Sequence, residues 1–359
     1  MPFAEIIAQE RAVSSLRAAL RRGALHHAYL FGGPQGVGKA AAARLLAQAA
    51  NCEGPPGPDG IRDDACGTCG PCRKIEKGVH PDVFELHEEA RMAKAGVWEP
   101  KGGRTPSKFI AVDQIRDLVD HRLALRRFEG RRRFVILDPA DAMNPQSQNA
   151  LLKTLEEPPA DTTLVLVTAR PDALLPTIRS RCLRVTFVPT PPGAVADRLV
   201  AEGRDPEAAR LAAALARGSL ERALALTKPK PAKKGEEPKP TDLDALAGAI
   251  RGAAALDPRD AGRWLAWAAE HGTDREWAGE ICEALATWLR DVLAAQTGAA
   301  TLALPDLSGE TRKVADAIAP AEAARRRDEV LRTAAALRQN ASPTLALERL
   351  LIGWFHGRA

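Results

Sequence analysis

Ala28-Tyr29-Leu30-Phe31-Gly32-Gly33-Pro34-Gln35-Gly36-Val37-Gly38-Lys39-Ala40 opens with a short apolar run and passes through a glycine-rich turn to a lysine. An apolar, Ala-rich stretch from Ala40 to Ala50 follows. Gly33 to Lys39 spell G-x-x-x-x-G-K, whose backbone N–H groups can cradle phosphates with the lysine as a point charge. The context of buried strand, glycine turn and helix is the one the motif requires, and the helix N-terminus adds a dipole that favours anions. The position after the lysine calls for Ser or Thr, whose hydroxyl holds Mg²⁺. It is Ala40. A Mg²⁺-nucleotide is therefore expected to be held less well, while Lys39 keeps phosphate binding open.

Working outward, Ala12 to Arg22 reads as an amphipathic helix, and Phe134–Leu137 and Leu164–Thr168 as further buried strands. Asn149 to Leu155 is helical in pattern and stopped by Pro158 and Pro159. Strands alternating with helices predict a mostly parallel α/β sheet. From about Val188 the character changes: Pro189, Pro191 and Pro192 mark a boundary, and 193–226 read as short Ala/Leu/Arg-rich helices. Residues 227–242, TKPKPAKKGEEPKPTD, have almost nothing to bury and are expected to be a disordered linker. Residues 243–359 are helical again, with Trp264, Trp267, Trp277 and Trp288 as core anchors. The stretch from Glu88 to Lys108 reads as a surface loop carrying extra basic residues.

Composition sets the class. The 359 residues suggest two or three domains. No apolar run approaches the ~20 residues that span a bilayer, and MPFAEIIAQERAVSSL lacks the apolar core of a secretory signal. The expectation is a soluble cytoplasmic protein. The formal charge of +5 fits contact with nucleic acid or a plain arginine bias, and charge alone does not decide.

Four of the six cysteines, Cys52, Cys66, Cys69 and Cys72, follow the spacing C-x₁₃-C-x₂-C-x₂-C, with Gly67, Gly70 and Pro71 supplying turns. Four thiolates on tight turns suit tetrahedral Zn²⁺, and four sulfurs leave no open position, so the site reads as structural; free thiols or disulfides are the alternatives. His80, beside Pro81, reads as a packing or turn residue, and Cys282 as a buried core thiol.

Two further elements bear on phosphate chemistry. In RRRFVILDPADAM, 131–143, Asp138 closes a buried strand where a Mg²⁺-coordinating acid sits in P-loop enzymes. The next residue, where a Glu usually polarises the attacking water, is Pro139. A general base contributes ~10²–10⁴-fold, so hydrolysis by this chain should be negligible. In Thr177-Ile178-Arg179-Ser180-Arg181-Cys182, Arg181 is placed to reach toward a neighbour, where a guanidinium can spread charge on a transferring phosphoryl. The plain readings are a strand cap for Asp138 and a solvated charge for Arg181.

HHAYLFGGPQGVGK (26–39), the cysteine cluster, HPDVFEL (80–86), QNALLKTLEEPP (148–159), TIRSRC (177–182) and NASPTLALERLL (340–351) together resemble the bacterial DNA polymerase III clamp-loader family, a group of AAA+ ATPases. The resemblance implies an AAA+ parallel-sheet P-loop domain over 1–187 with a zinc module at about 52–72, a small helical lid over 188–226 and an all-α collar over 243–359, with the 227–242 linker as an insertion.

The family's motor subunit, gamma or tau, carries Ser or Thr at the loop and Asp-Glu at the strand end. Its delta-prime subunit shares the fold, the zinc module and the Ser-Arg-Cys arginine but is usually impaired. Ala40 and Pro139 make this chain resemble delta-prime, as does Glu221 near Gly218-Ser219-Leu220, where the motor's lid arginine would fall with Arg222 one residue later. Tau-type subunits also continue well past the third domain.

The resemblance further implies a degenerate nucleotide site of Gly33, Gly36, Gly38, Lys39, Asp138 and Thr168, with binding of ATP or ADP left open. It implies a non-hydrolysing stator that offers Arg181 in trans to a neighbouring ATPase. Partners would be the gamma/tau and delta subunits, the sliding clamp and primer-template DNA, within a nucleotidyltransferase holoenzyme. Two other readings stay in play: a motor-type ATPase that tolerates Ala40 and Pro139, and a DNA-binding AAA+ scaffold unrelated to clamp loading.

Overall fold

Continuous apolar runs become the inner strands of one sheet, because a parallel sheet is buried on both faces. The computed structural model describes residues 2–57, 59–229, 240–299 and 301–356. The chain divides between Thr190 and Pro191 into two compact units. The expected linker at 227–242 falls largely on residues 230–239, which lie outside the described residues.

In the first unit, α1 (Glu10–Arg21) precedes β1 (Ala28–Gly32), and α2 (Lys39–Asn51) follows the glycine turn. Then come α3 (Gly70–Glu76), β2 (Val83–Leu86), α4 (Glu89–Lys94), α5 (Val112–Asp117), β3 (Arg133–Leu137), α6 (Pro145–Glu156), β4 (Thr162–Thr168), α7 (Pro176–Arg179) and β5 (Leu183–Thr186). The strands lie in the order β2-β3-β4-β1-β5, and every ladder is parallel. All residues of β1, β3 and β4 are buried. This is the mostly parallel α/β sheet, with the glycine turn between β1 and α2, that the sequence predicts. The sheet separates two apolar clusters. One gathers Phe31, Leu46 and Phe134 with α1 and α2, and the other gathers Leu30, Leu137, Leu151 and Leu166 with α5 and α6. Each fully buried Leu or Phe there contributes about 1.5–3 kcal/mol of transfer free energy.

The edge strands β2 and β5 have no counterpart in the sequence reading. Each has four residues, and only Val185 of β5 is buried, so neither presents a long apolar run. The helix read from Asn149 begins earlier, because the Asn144 side chain accepts from Ser147 N and caps α6 ahead of Pro145.

Residues 88–108 differ from the plain surface loop expected. They contain α4 and fold around the fully buried Glu89. Its carboxylate accepts from Arg104 at 2.6 and 2.7 Å, Trp98 Nε1 at 3.1 Å and Ser107 N at 2.9 Å.

The second unit is helical throughout its described residues: α8 (Pro192–Ala201), α9 (Pro206–Leu215), α10 (Leu220–Leu226), α11 (Asp242–Ala254), α12 (Ala261–His271), α13 (Arg275–Gln296), α14 (Ser308–Ala317), α15 (Pro320–Arg338) and α16 (Pro343–His356). One apolar cluster runs from Val195 and Leu199 to Leu351 and Trp354, so the helices on both sides of residues 230–239 share a core. Trp264, Trp267 and Trp288 are buried in it, each with its indole N–H bonded, to Asp257 O, Ala249 O and Thr311 Oγ1. Trp277 is half-buried against the same cluster. Cys282 is fully buried, and burial pushes its thiol up to about 12. Ser219 caps α10, and Arg222 in its first turn pairs with Glu280 and, at 2.7 Å, with Glu283.

Candidate nucleotide-binding and metal sites

The glycine turn leaves β1 at its C-terminal end and enters α2 through Gly38, whose φ of 93° is open to glycine and strained for other residues. Gly33 is fixed by close approach: a Cβ there would lie 2.3 Å from the carbonyl oxygen of Phe187. Lys39 is buried, and its ammonium donates to Gly33 O at 2.7 Å and to Pro34 O. Ala40 brings only a methyl group to the first turn of α2.

The other predicted nucleotide-site residues come to the same end of the sheet because β3, β4 and β1 are successive neighbours. Gly32 stands in register with Thr168, and Gly33 N donates to Thr168 O at 3.3 Å. Asp138 is half-buried beyond β3, and burial raises its pKa against the opposing charges of His87, Arg91, Arg44 and Lys39. Gly33, Gly36, Gly38, Lys39, Asp138 and Thr168 thus share one region. The Thr168 hydroxyl donates to Asp141 Oδ1 at 2.7 Å and accepts from Arg170 N at 2.9 Å, while Arg170 Nε reaches the other Asp141 oxygen at 2.8 Å. The arrangement supplies backbone donors and a cation for phosphate. It lacks both the metal-binding hydroxyl at position 40 and a carboxylate at position 139.

Arg181 lies just beyond α7. The neighbouring Ile178 is fully buried, and Cys182 packs against the same apolar cluster, its thiol pushed up to about 12 by burial. The Arg181 guanidinium donates to Thr177 O at 2.9 Å and to Glu156 Oε1 at 2.7 Å, with its side chain 35% exposed.

The four cysteines converge as their spacing predicts, with all four sulfurs within 4.8 Å of one another. Four sulfurs at 2.3 Å from one ion stand about 3.8 Å apart, and Cys52 and Cys69 are at 4.0 Å. Backbone N–H groups aim at the sulfurs: Gly54 and Cys66 donate to Cys52 Sγ at 3.3 and 3.4 Å, and Cys69 donates to Cys66 Sγ at 3.3 Å. At Cys66 burial is outweighed by the Thr68 hydroxyl and the backbone N–H groups of Cys69 and Thr68, which bring the thiol down to about 6. The donor set and its spacing fit a bound metal ion.

Several contributors carry no local signature. A Cβ on Gly54 would meet Cys66 Cβ and Sγ at 2.7 Å, so only glycine lets the two segments close. Asp63 accepts from Arg17 and Arg21 of α1 and ties the cysteine module to the rest of the unit. In HPDVFEL, Asp82 is 2% exposed and accepts from the backbone N–H groups of Phe128, Glu129 and Gly130. That shapes a turn whose Phe128 side chain is 82% exposed. His80 is buried beside it, its Nδ1 accepting from Asp82 N at 3.1 Å, which agrees with a turn residue.

Comparison with known proteins agrees with this geometry. Residues 8–191 match the family described as DNA polymerase III, delta subunit. The delta' subunit of DNA polymerase III from Pseudomonas aeruginosa is 42% identical over 158 residues, 44% of this chain and 42% of that protein. The delta' subunit from Bacillus subtilis is 35% identical over 206 residues, 57% and 55% of the two chains. The tau subunit from Escherichia coli is 36% identical over 231 residues, 63% of this chain and 32% of that protein. The chain thus spans about half, or less, of the length of these curated relatives. No helix among the described residues is long and apolar enough to cross a membrane. With a match over more than half its length, the chain belongs to the clamp-loader subunit family of DNA polymerase III.

Proposed function

We propose that this chain is the delta-prime type of clamp-loader subunit, a stator that does not hydrolyse ATP and offers Arg181 to the ATP site of a neighbouring subunit. The observation that carries the reading is Pro139, directly after Asp138 at the end of β3. A proline supplies no group to activate water, and Ala40 supplies no hydroxyl for Mg²⁺, so this chain's own loop can cradle phosphate without cleaving it. Arg181 supports the other half of the reading: it is accessible, and it stands on a segment anchored by Ile178 and Cys182.

In this reading residues 188–226 are the lid and 243–359 the collar through which the subunits assemble. Gamma/tau and delta are its neighbours, and the assembly places the sliding clamp on primer-template DNA. Cys52, Cys66, Cys69 and Cys72 hold Zn²⁺, whose role is structural because four thiolates complete its coordination.

The second reading, a motor-type gamma/tau ATPase, is favoured by the identity to the tau subunit. ATP turnover of the purified chain, measured with and without primed DNA and clamp, separates the two. The stator reading expects no turnover above background in either condition, and robust turnover supports the motor instead. Pull-down of clamp or loader subunits tests both against a scaffold unrelated to clamp loading.

A further inference from the structure

The run LLKTLEEPP has no part in the phosphate chemistry described so far, yet one of its carboxylates touches the residue that does. We propose that Glu156 is the positioning residue for Arg181. This rests on the reading that Arg181 acts in trans.

Glu156 is the last residue of α6, and its place there follows from the sequence. Glu157 precedes Pro158, which pushes it out of the helical region, and its φ and ψ are −124° and 70°. The helix therefore stops at Glu156. Just before it, Leu151 and Leu155 are buried in the cluster that also takes Ile178 and Cys182. The two segments are thus anchored to one apolar core, and the distance between their backbones is set by packing.

Across that fixed gap Glu156 Oε1 accepts from one guanidinium nitrogen at 2.7 Å, and Thr177 O accepts from the other at 2.9 Å. Two contacts on a planar fork fix both its place and its tilt. They use two of the five donors, leaving the rest for an oxyanion. The pair is accessible, with side chains 35% and 49% exposed. Such a pair contributes little to folding, so removing Glu156 should leave the fold intact while freeing the guanidinium. Glu156 thereby aims the arginine before a neighbour's phosphate arrives, which lowers the entropy of reaching the reactive geometry.

The test is ATP turnover by the loader assembled from this chain and its native partner subunits. Four forms of the chain are compared: R181A, E156A, E156Q and the double variant E156A/R181A. We expect E156A to lower kcat on the order of fivefold, a fraction of what misplacing a positioned group can cost, with KM for ATP unchanged. E156Q keeps an acceptor oxygen of the same reach and should retain most of the rate. The double variant should be no slower than R181A alone, because Glu156 acts through the arginine; a merely structural role would add its own loss. Full rate in E156A beside a slow R181A overturns the inference and leaves the trans reading intact, and a double variant slower than R181A also overturns it. Full rate in R181A overturns the trans reading and the inference with it. Equal melting temperatures for E156A and the parent chain show that the variant folds.

Discussion

The Thr168 hydroxyl donates to Asp141 at 2.7 Å, beside the end of β1, while its carbonyl accepts from Gly33 N. One residue at the end of β4 therefore supports the phosphate loop through its backbone and holds an acid on the next segment through its side chain. Asp141 is further tied to Arg170, which makes the arrangement a three-residue bracket.

Restoring the hydroxyl at position 40 should accordingly repair binding alone. A40T places an oxygen in the first turn of α2, where it can ligate Mg²⁺. We expect calorimetric titration to show Mg²⁺-ATP bound more tightly than by the parent chain, with turnover still at background because Pro139 is unchanged. Turnover by A40T alone contradicts the role given to Pro139.

The cysteine module should be sensitive at a position that is not a ligand. In G54A the new methyl group meets Cys66 2.7 Å away, and a ligand must shift. Metal affinity should fall about 10- to 100-fold, as it does when the groups that orient ligands are lost. Competition with a chelator, followed by elemental analysis, measures this. Unchanged retention shows that the segment relaxes around the methyl group, and a parent chain without zinc refutes the metal assignment itself.

Asp82 should control local order around Phe128. D82N removes the charge and one acceptor oxygen from three backbone N–H groups, a loss of about 1–3 kcal/mol for buried donors left unsatisfied. Hydrogen exchange at Phe128, Glu129 and Gly130 should accelerate while the amides of β3 remain protected. Unaltered exchange in the turn argues that its shape comes from elsewhere.

Glu85 gives a pH dependence with a definite sign. Burial alone would raise its pKa, but the His87 ring 3.7 Å away and the Arg44 guanidinium, which donates at 2.8 Å to both carboxylate oxygens, bring it down to about 2. Its ordinary value is 4.5. A depressed carboxylate stabilises the fold fully above pH 4.5 and loses that contribution as pH falls toward 2. The shift corresponds to at most about 3 kcal/mol. Denaturant unfolding at pH 6 and pH 3 should show a smaller loss in E85Q than in the parent chain, and equal losses rule out this carboxylate as a source of acid sensitivity.

The parts legible in the sequence were those whose cause is local. Continuous apolar runs announce β1, β3 and β4 because both faces of an inner parallel strand are buried. Cysteine spacing announces the four-sulfur cluster because the tight turns between Cys66, Cys69 and Cys72 bring three sulfurs to one point, which Cys52 joins. The edge strands β2 and β5 were hidden by four residues of mixed polarity, and the start of α6 by a cap that the apolar pattern ignores. Gly54, Asp63, Asp82 and Glu156 were not legible as partners. Each acts across a gap in the chain, and nothing in its neighbours along the sequence names the residue it meets.

Gly33 bears on how such a loop should be interpreted in any chain that carries one. The space for its side chain is closed by the backbone of Phe187, next to the end of β5. Selection for the shape of the sheet alone would keep this glycine after nucleotide had ceased to matter. The spelling of the motif is then a record of architecture, and the residues free to drift are the ones that reveal whether chemistry is still required. In this chain those are Ala40 and Pro139.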